Sequence, residues 1–210
     1  MSGLRSQVRV PVDKFIHELG TGEHGCIFSA SREYTQNIQF MFIRSGLESD
    51  YGAVYTTATE PLENVRAAMN EYGIDTKKYV QNGSLILIRG EELYKNAEKP
   101  DLELWKKSAR SISDNFNAKG KQGVRIAADL SSHFLSRGYV DQWFELEYAL
   151  ERKMSVPVSV LCAYDASMPS IDLTDILKYH IEIDGKNKEF VDAHNFVIYA
   201  SKDKNVIFTL

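Results

Sequence analysis

The 210-residue chain has a formal net charge of -4, is 43% apolar and 26% charged, and mixes acids and bases along its length. That composition suits one α/β domain with a sizeable core, argues against extensive disorder, and offers no basic block of the kind that grips nucleic acid. No run approaches the roughly 18 apolar residues needed to cross a bilayer, and residues 1–12 lack a signal-peptide core, so a cytoplasmic protein is expected.

Residues 1–14 carry few periodic apolar positions and read as a loosely attached N-terminal arm, which leaves residues 15–210 as a single domain. His24-Gly-Cys-Ile-Phe-Ser29 reads as a short strand. Ser31 then caps a helix in which Tyr34, Ile38, Met41, Phe42 and Ser45 recur at helical spacing until Gly46 closes it. Tyr51 to Ala58 is a second strand rich in β-formers, and Thr59-Glu-Pro61 opens a helix with the stripe Leu62, Val65 and Met69, ended by Gly73. Ser84 to Arg89 is a third strand. Pro100-Asp101 introduces a long helix with Leu102, Trp105, Ala109, Ile112 and Phe116 on one face.

The stretch Gly123 to Ser132 organises the rest. Val124 to Ala128 is apolar except at Arg125, the pattern of a strand covered on both faces. It delivers Asp129 to a carboxyl end, the edge where open α/β sheets bind ligands; the competing reading is that Asp129, Ser131 or Ser132 caps the next helix. A brief helix reaches about Arg137, and a longer one from about Asp141 to Lys153 carries Trp143, Phe144, Leu146 and Leu150. Glu147 shares part of that apolar face and is either a pocket acid or an end-of-stripe carboxylate with its head in water, the second being the commoner case.

Val156 to Ala163 is another buried strand, with Tyr164 and Asp165 at its carboxyl end. Residues 181–191 and 195–210 read as two hairpins. Alternating strands and helices followed by antiparallel strands define an α/β three-layer sandwich, with a mainly parallel central sheet and antiparallel C-terminal hairpins. Cys26 and Cys162 lie in apolar runs and are expected to be buried free thiols. His24, His133, His180 and His194 show no spacing that requires a metal or a triad, so the sequence calls for no metal and no cofactor.

Phe40 to Leu47, Val54-Tyr-Thr-Thr-Ala-Thr-Glu60 and Asp129-Leu-Ser-Ser132 resemble, in order, segments of RecA-like ATPases of the KaiC group. The resemblance implies a RecA-like sandwich, with Glu60 matching an acid and Asp129 the Walker B aspartate. The phosphate-binding loop departs from that pattern, because Ser29-Ala-Ser-Arg-Glu-Tyr-Thr-Gln36 has neither glycine nor a Gly-Lys-Ser/Thr sequence. Backbone N–H groups cannot curl around phosphates there in the usual way, and the charge of the lysine is missing. Arg32 either substitutes for it or stands solvated near the helix start.

His24 to Ser29, Gly46-Leu47, Gly73-Ile-Asp75, Gly83 with Leu85 to Ile88, Tyr94 and Leu161-Cys-Ala-Tyr-Asp165 together are similar to the MEDS family, the sensory domain of DcmR-like regulators. The chain departs from that family at one point: the family often ends in a His-Pro pair, whereas here His194-Asn195 is the nearest candidate. The resemblance implies a sensor of small organic molecules in signal transduction or transcriptional regulation, acting through a regulatory protein partner or as a homo-oligomer, without catalysis. A nucleotide-binding KaiC-like protein with weak or no ATPase activity, and a scaffold or oligomerisation module, are the alternatives. The ligand site expected under the first reading comprises His24, Ser29, Tyr34, Glu60, Asp129, Tyr164 and Asp165. His24 either bonds a neighbouring carbonyl or meets ligand, Tyr34 is either core or wall, and Tyr164-Asp165 either closes a turn or contributes to the site.

Overall fold

The computed structural model describes residues 6–8, 10–93, 102–139, 141, 143, 147, 157–165, 194–202 and 205–209. Its strands are β1 (Ser6–Val8), β2 (His24–Ser29), β3 (Gly52–Thr57), β4 (Leu85–Arg89), β5 (Val124–Ala128), β6 (Val158–Asp165), β7 (Phe196–Ala200) and β8 (Asn205–Thr209). They form one sheet in the order β1-β8-β7-β2-β6-β5-β3-β4. From β7 across to β4 all neighbours are parallel, whereas β7–β8 and β1–β8 are antiparallel. The strands β2, β3 and β5 are buried at every position, as strands covered on both faces must be.

The two faces are covered by different helices. Beneath one lie α1 (Val12–Glu18), α2 (Arg32–Glu48) and α3 (Leu62–Glu71), which bury Ile16, Ile38, Phe42, Ile43, Val65 and Met69 against Ile27, Tyr55, Ala127 and Leu161. On the other lie α6 (Leu102–Ala118), α7 (Leu130–Ser136) and Trp143, whose Phe116 and Phe134 pack on Cys26, Phe28, Ile126, Val160 and Cys162. Alternation along β2 therefore assigns His24, Cys26 and Phe28 to the α6–α7 face, and Gly25 and Ile27 to the α2 face. Three layers result, as the sequence pattern requires.

The departures from the sequence reading have physical reasons. Ser6–Val8 is no free arm but an edge strand paired with β8, and Val12–Glu18 is a helix anchored by Ile16. A strand of three residues on a sheet edge needs no apolar periodicity to pair. The short α4 (Thr76–Gln81) was not expected either; the Asp75 carboxylate caps it by accepting from the Lys78 amide at 2.9 Å. Residues Gly90–Leu93 add a single helical turn, α5, after β4. The hairpin expected at 195–210 is present as β7–β8, while that at 181–191 lies outside the described residues.

Arg125, the one charged residue in the central strand, is buried on the α2 face. Its guanidinium donates to the carbonyls of Phe42 and Leu19 at 3.2 and 3.1 Å, and lies 5.0 and 5.2 Å from the rings of Phe42 and Tyr51. Burial drags its pKa down to about 10, partly opposed by the Tyr51 phenol. Gly46 makes room for it, because a Cβ there would stand 2.7 Å from Arg125 Cδ.

Candidate functional site

The parallel strands β2 to β7 all end at one edge of the sheet. Register places Ser29 beside both Asp165 and Ala200, Ala128 beside Thr56 and Cys162, and Thr57 beside Arg89. The chain leaves β2 through α2 and passes β6 and β5 before joining the sheet again at β3. Such a crossing opens the crevice where open α/β sheets take ligands.

Side chains occupy that crevice. Asp129 holds the N-cap position of α7 without capping it, so its carboxylate is spent elsewhere. It accepts from the Thr57 hydroxyl at 2.6 Å and the Ala58 amide at 2.8 Å, and also from the Thr59 hydroxyl. These charge-assisted bonds tie the end of β5 to the turn after β3. Above them Arg32 pairs with Glu60 at 2.6 Å, and Gln36 donates to the same carboxylate at 2.7 Å. Below, Gln39 of α2 donates to the Ala128 carbonyl at 3.2 Å and accepts from the Tyr55 hydroxyl at 3.0 Å. Burial, then the charges of Asp129 and Glu60, push the Tyr55 phenol up. A cavity of only about 20 Å³ remains among Arg32, Gln36, Gln39, Thr59 and Asp129, roughly the space of one water molecule.

The loop from β2 into α2 is closed on itself. The Ser29 hydroxyl donates to the Ser31 carbonyl and accepts from the Ser31 amide, at 3.0 and 3.1 Å. The Thr35 hydroxyl donates to the same carbonyl at 3.1 Å.

Of the residues expected to form one pocket, the structure gathers Ser29, Glu60 and Asp129 at the carboxyl edge. Tyr34 is half-buried against the hydrophobic core on the α2 face. Asp165 ends β6 beside Ser29, and its side chain, like Tyr94, is outside the described residues. His24 begins β2 while Ser29 ends it, so about 17 Å of extended chain separates them.

His24 instead joins a second constellation on the α6–α7 face. Glu147 is fully buried rather than in water, and its Oε1 accepts from the hydroxyls of Ser131 and Tyr164, both at 2.5 Å. Trp143 Nε1 in turn donates to the Tyr164 oxygen at 3.0 Å. The other oxygen, Oε2, faces His24 Nε2 at 3.6 Å and His194 Nε2 at 3.5 Å. The two imidazoles are stacked, with centroids 4.1 Å apart and planes at 28°. Cys162 Sγ lies 3.6 Å from His24 Nε2. Burial alone drives the Glu147 carboxyl up, but His194, His24 and the Ser131 hydroxyl outweigh it and leave the group at about 2. Burial, then the Glu147 charge, pushes both the Cys26 and Cys162 thiols up.

Residues 23–181 match the model of the methanogen/methylotroph DcmR sensory domain family. The chain belongs to the MEDS family. His24 and Glu147 fall inside the matched segment of this MEDS domain, whereas His194 lies beyond it. Among solved structures the domain is similar to a KaiC-like protein of the hyperthermophilic archaeon Pyrococcus horikoshii. That likeness has a TM-score of 0.57 at 14% identity over 85% of this chain and 71% of the other, and it establishes a RecA-like fold alone. A comparison with curated proteins gives no match. No described helix of the MEDS domain is long and apolar enough to cross a membrane.

Proposed function

We infer that this MEDS domain is a non-catalytic receptor for a compact organic molecule, and that ligand entering the carboxyl-edge crevice changes the surface offered to a regulatory protein partner. The observation that carries this reading is the closure of the crevice by its own side chains. All three hydrogen bonds that tie Asp129 down come from the end of β3 and the turn after it, and Arg32 neutralises Glu60 where a phosphate would need a cation. A cavity of about 20 Å³ cannot take a triphosphate.

A small ligand needs less. The Arg32 and Glu60 side chains are 42% and 19% exposed, and a pair so placed contributes at most about 1 kcal/mol, so displacing it is a minor cost. Behind it stand the Tyr55 hydroxyl, Gln39, Thr59 and Asp129, an array of donors and acceptors beside an aromatic ring. Such a lining selects a molecule with one or two polar groups on a short carbon frame.

The test is a thermal-unfolding series with small alcohols, amines and carboxylic acids, alongside an assay for magnesium-dependent ATP hydrolysis. The expected result is stabilisation by members of one of those classes, lost in Gln39→Leu, with no hydrolysis above background. Steady hydrolysis abolished by Asp129→Ala would overturn the reading in favour of a KaiC-like nucleotide enzyme.

A further inference from the structure

We propose that His24, Glu147 and His194 form a binding site for a divalent transition-metal ion of the zinc type, with Cys162 completing a tetrahedral donor set. The ligand atoms of the first three all lie within 4.8 Å of one another, and all three residues are buried. Metal–ligand bonds of about 2.1 Å in a tetrahedron give edges of about 3.4 Å between ligand atoms. The observed separations are 3.6 Å from His24 to Glu147, 3.5 Å from His194 to Glu147 and 3.6 Å from Cys162 to His24.

The carboxylate supplies a second, independent argument. Ser131 and Tyr164 fix Oε1, while buried Oε2 has no hydrogen-bond partner of good geometry. Its near neighbours among the described residues are the His24 and His194 nitrogens at 3.6 and 3.5 Å, longer than a good hydrogen bond, and an ion placed among the three would satisfy all of them at bonding distance. Outer hydrogen bonds that set a ligating carboxylate in one orientation are what metal centres need, and here the chain Trp143 to Tyr164 to Glu147 provides them. The backbone sets the histidines side by side. The His24 amide donates to the Asn195 side chain at 2.8 Å, and the Asn195 amide donates to the His24 carbonyl at 2.6 Å.

Donor chemistry decides the class of ion. Calcium and magnesium take oxygen ligands, whereas two imidazoles with one carboxylate and one thiolate suit zinc, cobalt(II) or iron(II). Cys162 binds as the thiolate and its proton leaves to solvent. One carboxylate and one thiolate then balance the two charges of the ion, so the buried assembly is neutral. The stacked rings must splay for both nitrogens to point at one ion, and His194, just before β7, is the one free of a strand. His24 opens β2, while Ser131 and Tyr164, which orient Glu147, adjoin Ser132 and Ala163 of the crevice lining. The donor set alone carries the proposal, which does not rest on the sensory reading.

The test uses the 210-residue chain, assayed for metal as purified and again after unfolding with chelator and reductant and refolding with cobalt(II). The expected result is about one metal ion per chain, with the visible bands of tetrahedral cobalt, a thiolate-to-cobalt charge-transfer band, and loss of both on adding zinc. Cys162→Ser should remove the charge-transfer band alone, Cys26→Ser should leave it, and His194→Gln should weaken binding at least tenfold. Folding of each variant is checked by circular dichroism. Folded wild-type protein that holds no metal by either route, or a spectrum and affinity indifferent to Cys162→Ser and His194→Gln, would overturn the proposal.

Discussion

Two carboxylates define this molecule, and they are satisfied in opposite ways. Asp129 sits at the carboxyl edge, where both oxygens are claimed by hydroxyl and amide donors from the end of β3 and the turn after it. Glu147 sits on the α6–α7 face, where one oxygen is claimed by two hydroxyls and the other confronts two imidazoles. The first carboxylate is used up within the fold and serves as a strut. The second has one oxygen held by hydroxyls and the other set against two imidazoles. Under the proposed reading, the aspartate that resembles Walker B acts as a structural acid, and the buried cluster around Glu147 is the candidate for metal chemistry.

Several substitutions break or sharpen that contrast. The largest effect is expected from Glu147→Ala, which strands the Ser131 and Tyr164 hydroxyls and the imidazole pair in a dry site. Removing one member of a buried charged set costs about 3–5 kcal/mol, to be read from urea unfolding. Asp129→Ala should cost less, about 1–3 kcal/mol, because two of the three donors it abandons, on Ala58 and Thr59, belong to half-buried residues and reach water more easily. Equal losses for the two would erase the distinction drawn here.

Gly25→Ala should cost about 1–3 kcal/mol by overpacking. Its Cβ would stand 2.2 Å from the Phe196 ring, forcing β2 from β7. Since His24 and Asn195 flank that contact, the same variant should also disturb the stacking of His24 on His194, visible as shifted imidazole resonances. Smallest of all is Arg32→Ala, expected to change stability by less than about 1 kcal/mol because the side chain is 42% exposed. Under the sensory reading that variant should still bind small organic molecules, since it removes the cover rather than the floor of the crevice.

The fold was legible in the sequence where burial makes it so. The runs Ile27–Phe28, Ile126–Ala128 and Val160–Ala163 are apolar because both sides of the sheet are covered, and each lies in a strand, as does the apolar run Leu85–Ile88 of the half-buried edge strand β4. Ser6–Val8 escaped notice because an edge strand is held by backbone pairing to β8, which leaves no periodic mark. The carboxyl edge was half legible, since strand ends bring Ser29, Glu60 and Asp129 to it by topology alone. The covering interactions were not, because Arg32 meeting Glu60 and Thr57 meeting Asp129 depend on register between distant strands.

The buried cluster was illegible for a related reason. His24, Glu147, Cys162 and His194 come from separate elements with no fixed spacing. Two marks did exist in hindsight. Glu147 shares the stripe of Trp143, and His24 opens a strand whose centre, Cys26 to Phe28, is apolar. A charged or polar group embedded in an apolar pattern needs a partner, and here each is within reach of the other.

The account turns on the carboxyl edge being closed to nucleotides. Thermal unfolding with and without saturating ATP and magnesium tests this most directly, because a ligand held at about 100 times its dissociation constant adds roughly 2.7 kcal/mol to stability. The account predicts an unchanged midpoint. A rise of several degrees that disappears in Asp129→Ala would contradict it, and would make the aspartate a nucleotide-site residue rather than a strut.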